Sequence, residues 1–156
     1  MRRVCHRWPV PLKPRPDKIS ETPMTTRTAA CACGQLTVTC TGEPVRHSMC
    51  HCLDCQKRTG SVLSVQVRFP DDKVAIKGNT KTFVRKGDSG GTITFRFCPD
   101  CGSTMAWTID DWPGVTAVPV GAFADPDFPP PKVSVYNNRR HRWLPADLPP
   151  GIRHES

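Results

Sequence analysis

No run of 18 or more apolar residues occurs in the sequence, and its start has no apolar h-region of the signal-peptide kind. Neither a membrane-spanning helix nor a secretory leader is therefore expected, and the chain reads as soluble and cytoplasmic. Internal repeats are missing as well, and only one short stretch could form a helix. A hydrophobic fraction of 37% is modest, whereas 17 prolines and 11 glycines are plentiful. That balance favours short strands joined by turns over long helices. A concentrated field of one charge sign is also lacking. The net charge is +8, but half of it sits in residues 1–24, and the other 132 residues hold 16 basic and 12 acidic groups. So mild an excess is ordinary for a soluble domain and does not mark a nucleic-acid binder.

Residues 1–24 carry Pro9, Pro11, Pro14, Pro16 and Pro23. This spacing forbids a helix and leaves little to bury, so a disordered Pro/Arg-rich extension is expected, followed by a single domain over residues 25–156. The same prolines argue against an amphipathic transit peptide, and Met24 offers an alternative translation start.

From Cys31 onward the apolar pattern has period two. Leu36, Val38 and Cys40 alternate with threonines, Leu63 to Phe69 alternate with polar residues, and Ile93, Phe95 and Phe97 do the same. Such alternation marks half-buried antiparallel strands. Shorter candidates are residues 74–76, 82–84, 105–107 and 115–120, separated by stretches rich in Gly, Pro, Asn and Asp. An all-β domain of eight or nine strands is expected. One or two helical turns should follow Cys52, run to about Arg58, and stop at Gly60.

In the reducing compartment expected here, close-spaced pairs among the nine cysteines read as metal ligands rather than disulfides. Seven of them cluster. Phe97-Cys98-Pro99-Asp100-Cys101-Gly102 is a zinc-knuckle turn, in which two intervening residues let both sulfurs reach one ion. Cys31-Ala32-Cys33-Gly34 supplies a second pair, completing four thiolates for a closed structural zinc. Cys50, Cys52 and Cys55 remain, because seven thiols exceed one tetrahedral ion. Three protein ligands with an exchangeable fourth is the pattern of a catalytic zinc. An incoming thiol in that position would be held as the nucleophilic thiolate and could attack a small carbonyl. In a competing partition, Cys52 and Cys55 join the knuckle as an ordinary zinc ribbon. Cys40 continues a strand's apolar phase and reads as a buried free thiol; Cys5 lies in the extension.

His51 sits between two candidate ligands, so on extended backbone it points away from them, towards packing or hydrogen bonding rather than ligation. Asp54 could orient the loop or simply cap the helix. Lys57 and Arg58 could attract a carboxylate such as that of glutathione, or form a solvated helix face. The basic run 139–142 is open to the same two readings.

Taken in order, Cys-x-Cys-Gly, then Cys-His-Cys-x-x-Cys-x-x-x-Thr-Gly-Ser, then Phe-Cys-x-x-Cys-Gly resemble the glutathione-dependent formaldehyde-activating enzyme and centromere protein V family. Val120-Gly121-Ala122-Phe123-Ala124-Asp125-Pro126, Val133-Ser134-Val135, Trp143-Leu144 and Leu148-Pro149 extend the resemblance over about residues 30–148. It implies an Mss4-like fold of stacked sheets, a structural zinc on Cys31, Cys33, Cys98 and Cys101, and a second zinc on Cys50, Cys52 and Cys55. It also implies condensation of glutathione with formaldehyde to S-(hydroxymethyl)glutathione, a carbon-sulfur lyase reaction run in reverse. The rival expectation is a non-catalytic, zinc-stabilised binding module for nucleic acid or protein, as the centromere-associated relatives suggest.

Overall fold

The computed structural model describes residues 24–144 and 151–155. The expected extension, Met24 apart, together with Cys5 and the Leu148-Pro149 pair, lies outside those residues. Eleven strands and one α-helix follow in order: β1 (Thr26–Ala30), β2 (Thr37–Thr41), β3 (Arg46–Cys50), α1 (Leu53–Thr59), β4 (Ser64–Pro70), β5 (Val74–Lys77), β6 (Lys81–Lys86), β7 (Thr92–Phe97), β8 (Thr104–Ile109), β9 (Val115–Pro119), β10 (Val133–Val135) and β11 (Arg153–Glu155). No helix among the described residues is long and apolar enough to cross a membrane.

Strands β1, β2 and β5 form a three-stranded sheet, and the other eight form a second sheet in the order β11-β10-β3-β4-β9-β8-β7-β6. The all-β expectation of stacked sheets holds, with two corrections. The described residues form eleven strands rather than eight or nine, and they are not all antiparallel: β10 runs parallel to both β3 and β11. The extra strands escape period-two reading for physical reasons. β3 reads Arg-His-Ser-Met-Cys and is buried along four of its five positions, so no polar face alternates with an apolar one. β10 is only three residues long, too short to display a period.

Strand β4 shows how the two faces divide. Val67 and Phe69 point into a core shared with Ala29, Val38 and Cys40 of the smaller sheet and with Met105 and Val118. Gln66 and Arg68, in the opposite phase, line a cavity on the other face. Full burial of Phe69 contributes about 2–3 kcal/mol by apolar transfer alone, so this core, rather than the cavity face, is where the two sheets are held together. Cys40 is buried there as expected, and burial pushes its thiol up to about 11.

Gly78 closes the turn between β5 and β6 at φ +109. A Cβ there would lie 2.1 Å from the Gln35 carbonyl oxygen, so only glycine permits this close approach. The contact holds Gln35 in place, which bears on the first thiol cluster below.

His47 on β3 is buried beside Phe128, its ring packed edge-on at 5.5 Å. Burial first, and the Lys132 charge second, lower its pKa from 6.5 to about 4. Between those two pH values the unfolded chain binds a proton that the folded chain refuses. The resulting loss of stability is therefore absent above pH 6.5 and grows as pH falls towards 4. From about pH 7.5 to about pH 5.5, the wild type is expected to lose roughly 1.3 kcal/mol more than His47→Gln. Urea unfolding at the two pH values checks this; parallel losses in the two proteins would contradict it.

Candidate metal centre and cavity

Two groups of thiols gather in space. The sulfurs of Cys31, Cys33, Cys98 and Cys101 all lie within 4.8 Å of one another, and so do those of Cys50, Cys52 and Cys55. The spatial grouping follows the partition expected from spacing and leaves no shared group of Cys52 and Cys55 with the knuckle. All eight cysteines of the described residues are free thiols.

The first group joins two turns. The Cys31 turn closes through the Gly34 amide to the Cys31 carbonyl at 2.9 Å, and the Leu36 amide donates to Cys31 Sγ at 3.3 Å. In the knuckle, the Gly102 amide donates to the Cys98 carbonyl at 3.0 Å, with Gly102 at φ +75. Gln35 links turn and cluster: its Nε2 donates to Cys98 Sγ at 2.9 Å and to the Asn79 carbonyl at 2.9 Å, while its Oε1 accepts from the Asn79 amide at 3.0 Å. Ser103, by hydroxyl and then backbone bonding, depresses the Cys101 thiol to about 5. Donors aimed at sulfur favour thiolate, the form that ligates metal.

The second group is built by β3 and the start of α1. Cys50 ends β3, Cys52 is the helix N-cap, and its sulfur accepts from the Cys55 amide at 3.3 Å. Gly60, at φ 66, ends the helix by donating to the Gln56 carbonyl, as the sequence led one to expect. The Cys50 and Cys55 thiols both donate towards Cys52, with Cys50 the larger effect, and hold it down to about 2; Cys50 is pushed up in turn. Four sulfurs in one group and three in the other fit thiophilic metal ions, zinc foremost, and the second group has no fourth protein ligand among the described residues.

His51 is not that fourth ligand. It is 0% exposed and lies outside the sulfur group, and neither ring nitrogen has a hydrogen-bond partner. Burial, helped by the Arg140 charge, lowers its pKa, so the ring sits in the interior as neutral imidazole. Asp54 accepts from Arg85 at 2.8 Å, which ties α1 to β6. Arg58 is drawn inward: it donates to Ser64 Oγ at 2.8 Å, and its guanidinium lies 4.6 Å above the Trp107 ring and 5.3 Å above Phe95. Burial lowers its pKa, while the neighbouring Cys55 charge opposes that shift. Lys57 is exposed and is not among the residues that line the cavity.

Cys50, Cys52 and Cys55 open into a cavity of about 330 Å³, within the range of small-molecule sites. Phe95, Trp107 and Ile93 give an apolar wall, and residues 87–89 of the β6–β7 turn give a polar one. Asp88 in that turn is ion-paired with Arg139, so the basic run 139–142 serves partly to fasten the cavity rim. Gln56, which spacing did not single out, is the other fastener. Its Nε2 donates to the His51 and Arg139 carbonyls at 2.8 and 3.2 Å, and its Oε1 lies 2.9 Å from His141 Nε2, which must donate to it. Its only sequence signal is a position on the helix one residue after Cys55.

The class is thus a small β domain that gathers two thiol groups able to hold metal ions, one of them facing a ligand-sized cavity. Residues 26–139 match the family model described as glutathione-dependent formaldehyde-activating enzyme, and the chain belongs to that family. Among solved structures, a crystal structure of a Rhodobacter sphaeroides protein is similar at 15% identity, with a TM-score of 0.49, covering 83% of this chain and 99% of that one. No curated protein matches the chain.

Proposed function

We propose that the protein makes or breaks the carbon-sulfur bond between a low-molecular-weight thiol, such as glutathione, and formaldehyde or another small aldehyde. In this reading Cys31, Cys33, Cys98 and Cys101 hold a structural zinc, and Cys50, Cys52 and Cys55 hold a second one. The observation that carries it is the placement of three converging sulfurs, with no fourth protein ligand among the described residues, on the wall of a ligand-sized cavity. When bound there, zinc would supply the charge that keeps an incoming thiol deprotonated at neutral pH.

The chain's own residues do the rest. In the forward direction the thiol gives up its proton, its sulfur bonds to the carbonyl carbon, and the carbonyl oxygen takes up a proton, so no oxidant or reductant is needed. Three thiolates and a divalent ion leave one negative charge, and the Arg58 guanidinium beside Cys55 offsets it. Phe95 and Trp107, which carry that guanidinium, also keep water from the reacting end of the cavity. The Asp54–Arg85 pair and the Gln56 bonds fix the helix that bears Cys55. Lys57, exposed on that helix, is left to attract an anionic thiol from solution rather than to hold it. Free thiols throughout the described residues suit a reducing compartment such as the cytoplasm, and residues 25–156 serve as the functional unit.

NMR of the zinc-loaded protein with glutathione and carbon-13 formaldehyde tests this reading. Exchange between free aldehyde and hydroxymethyl thioether should accelerate well beyond the spontaneous rate. An unchanged exchange rate across a panel of thiols and small aldehydes would contradict it.

A further inference from the structure

The second thiol group occupies one end of a ladder whose other end has no assigned role. Strand β3 presents Arg46, Ser48 and Cys50 on one face, and these pair across β4 with Arg68, Gln66 and Ser64. The cavity floor therefore runs from thiol through hydroxyl and amide to two guanidiniums. The middle of the floor is satisfied internally: Ser64 Oγ bonds Gln66 Oε1, and Gln66 Nε2 bonds Ser48 Oγ, both at 3.2 Å. The guanidinium end is not.

Arg46 and Arg68 lie directly opposite each other, and both sit over the Trp112 ring, at 5.1 and 4.1 Å. Placing two like charges side by side on a half-buried sheet face is unfavourable unless an anion joins them. Arg46 has one, the Glu155 carboxylate at 2.6 Å. Arg68 has no carboxylate partner among the described residues. Burial, with Arg46 adding to it, lowers its pKa to about 10, so it remains charged at neutral pH. The other lining carboxylates are placed elsewhere: Asp54 and Asp88 are held by Arg85 and Arg139, and Asp111 packs against Gly91. Asp111 would repel an anion at the turn side of the cavity and leave Arg68 as the favourable position.

We propose that Arg68, backed by Arg46 and Trp112, is a carboxylate receptor that selects thiols by length. Arg46 and Cys50 are four positions apart on β3, a span of about 13 Å between Cα positions. A thiol whose sulfur lies at the cysteine end can reach the receptor only if it carries a carboxylate on the order of 10 Å away, further than a two- or three-carbon thiol extends. Short mercapto-alcohols and aminothiols cannot. The class accepted is thus the carboxylate-bearing thiol peptide. This rests on the cysteine end being the sulfur site, as proposed above, but the receptor itself binds without it.

Calorimetry on the zinc-loaded protein separates the two ideas with four probes: glutathione, its dicarboxylate ester, S-methylglutathione and mercaptoethanol. Arg68→Gln is expected to weaken glutathione and S-methylglutathione by about tenfold to a hundredfold, the worth of a charge-assisted bond, and to leave mercaptoethanol unchanged. The ester should bind the wild type about tenfold to a hundredfold more weakly than glutathione does, a comparison that does not depend on how the variant folds. Equal binding of glutathione and its ester to the wild type overturns the receptor while leaving the sulfur site intact. Binding of S-methylglutathione that needs Arg68, with no added affinity from a free thiol, supports the receptor and overturns the sulfur site. Absence of binding by any of the four overturns both.

Discussion

Replacing Cys98 by Ser is expected to unfold the domain or cost it more than about 3 kcal/mol, with loss of one equivalent of bound metal. Cys98 is 0% exposed and belongs both to the four-thiol group and to the core in which the two sheets meet. Outer-shell changes alone lower metal affinity 10- to 100-fold. Loss of a ligand must exceed that, and metal affinity here is folding free energy, because the unfolded chain has no preformed site. The substitution also leaves the Gln35 amide, 2.9 Å from the sulfur, with a shorter and displaced acceptor, loosening the Gly78 turn that Gln35 anchors. A domain has only about 5–15 kcal/mol of net stability to lose. Urea unfolding with parallel metal analysis measures both quantities. A Cys98→Ser protein that keeps its metal and its midpoint would show that the four thiols are not a structural site.

The opposite profile is expected for Cys52→Ser: turnover falls at least about a thousandfold and the second metal equivalent is lost, while the unfolding midpoint barely moves. The reason lies in where the thiol sits. Cys52 caps α1 on the wall of the cavity and takes no part in the shared core. Serine is among the better N-cap residues, so the bond from the Cys55 amide is retained and the usual penalty of about 1 kcal/mol for a lost cap does not arise. What disappears is one of three converging ligands, and with two left the ion is poorly held. Kinetics, metal content and urea unfolding on one preparation check the pattern. Unchanged turnover would remove Cys52 from the reaction, and a large loss of stability would make the second group structural.

Some of this was legible in the chain and some was not, for reasons that differ by element. Strands β2, β4 and β7 were readable because each has one face in an apolar environment, so period two survives in the residues. Helix α1 was readable from its end, where Gly60 takes the left-handed conformation. The division of seven cysteines into four and three followed from coordination number, and the sulfurs are grouped in that way. Strand β3 was not readable, and its omission hid the guanidinium end of the cavity: with β3 unseen, nothing placed Arg46 in phase with Cys50 or opposite Arg68. Arg58 was read as a charge that could attract a carboxylate or belong to a solvated helix face, yet it is folded over Trp107 and Phe95, because a long side chain with a planar head can be carried by aromatic faces that sequence proximity does not reveal. Gln56 makes two of its three bonds to residues 83 and 85 positions away, a relation set by the parallel docking of β10 beside β3.

Cobalt(II) substitution tests the central claim, that a thiol reaches an open position beside Cys50, Cys52 and Cys55. Adding glutathione to the cobalt-loaded protein should intensify the sulfur-to-cobalt charge-transfer band and sharpen the tetrahedral visible absorption, and the change should vanish in Cys52→Ser. A spectrum that stays constant while calorimetry shows glutathione bound would contradict the account.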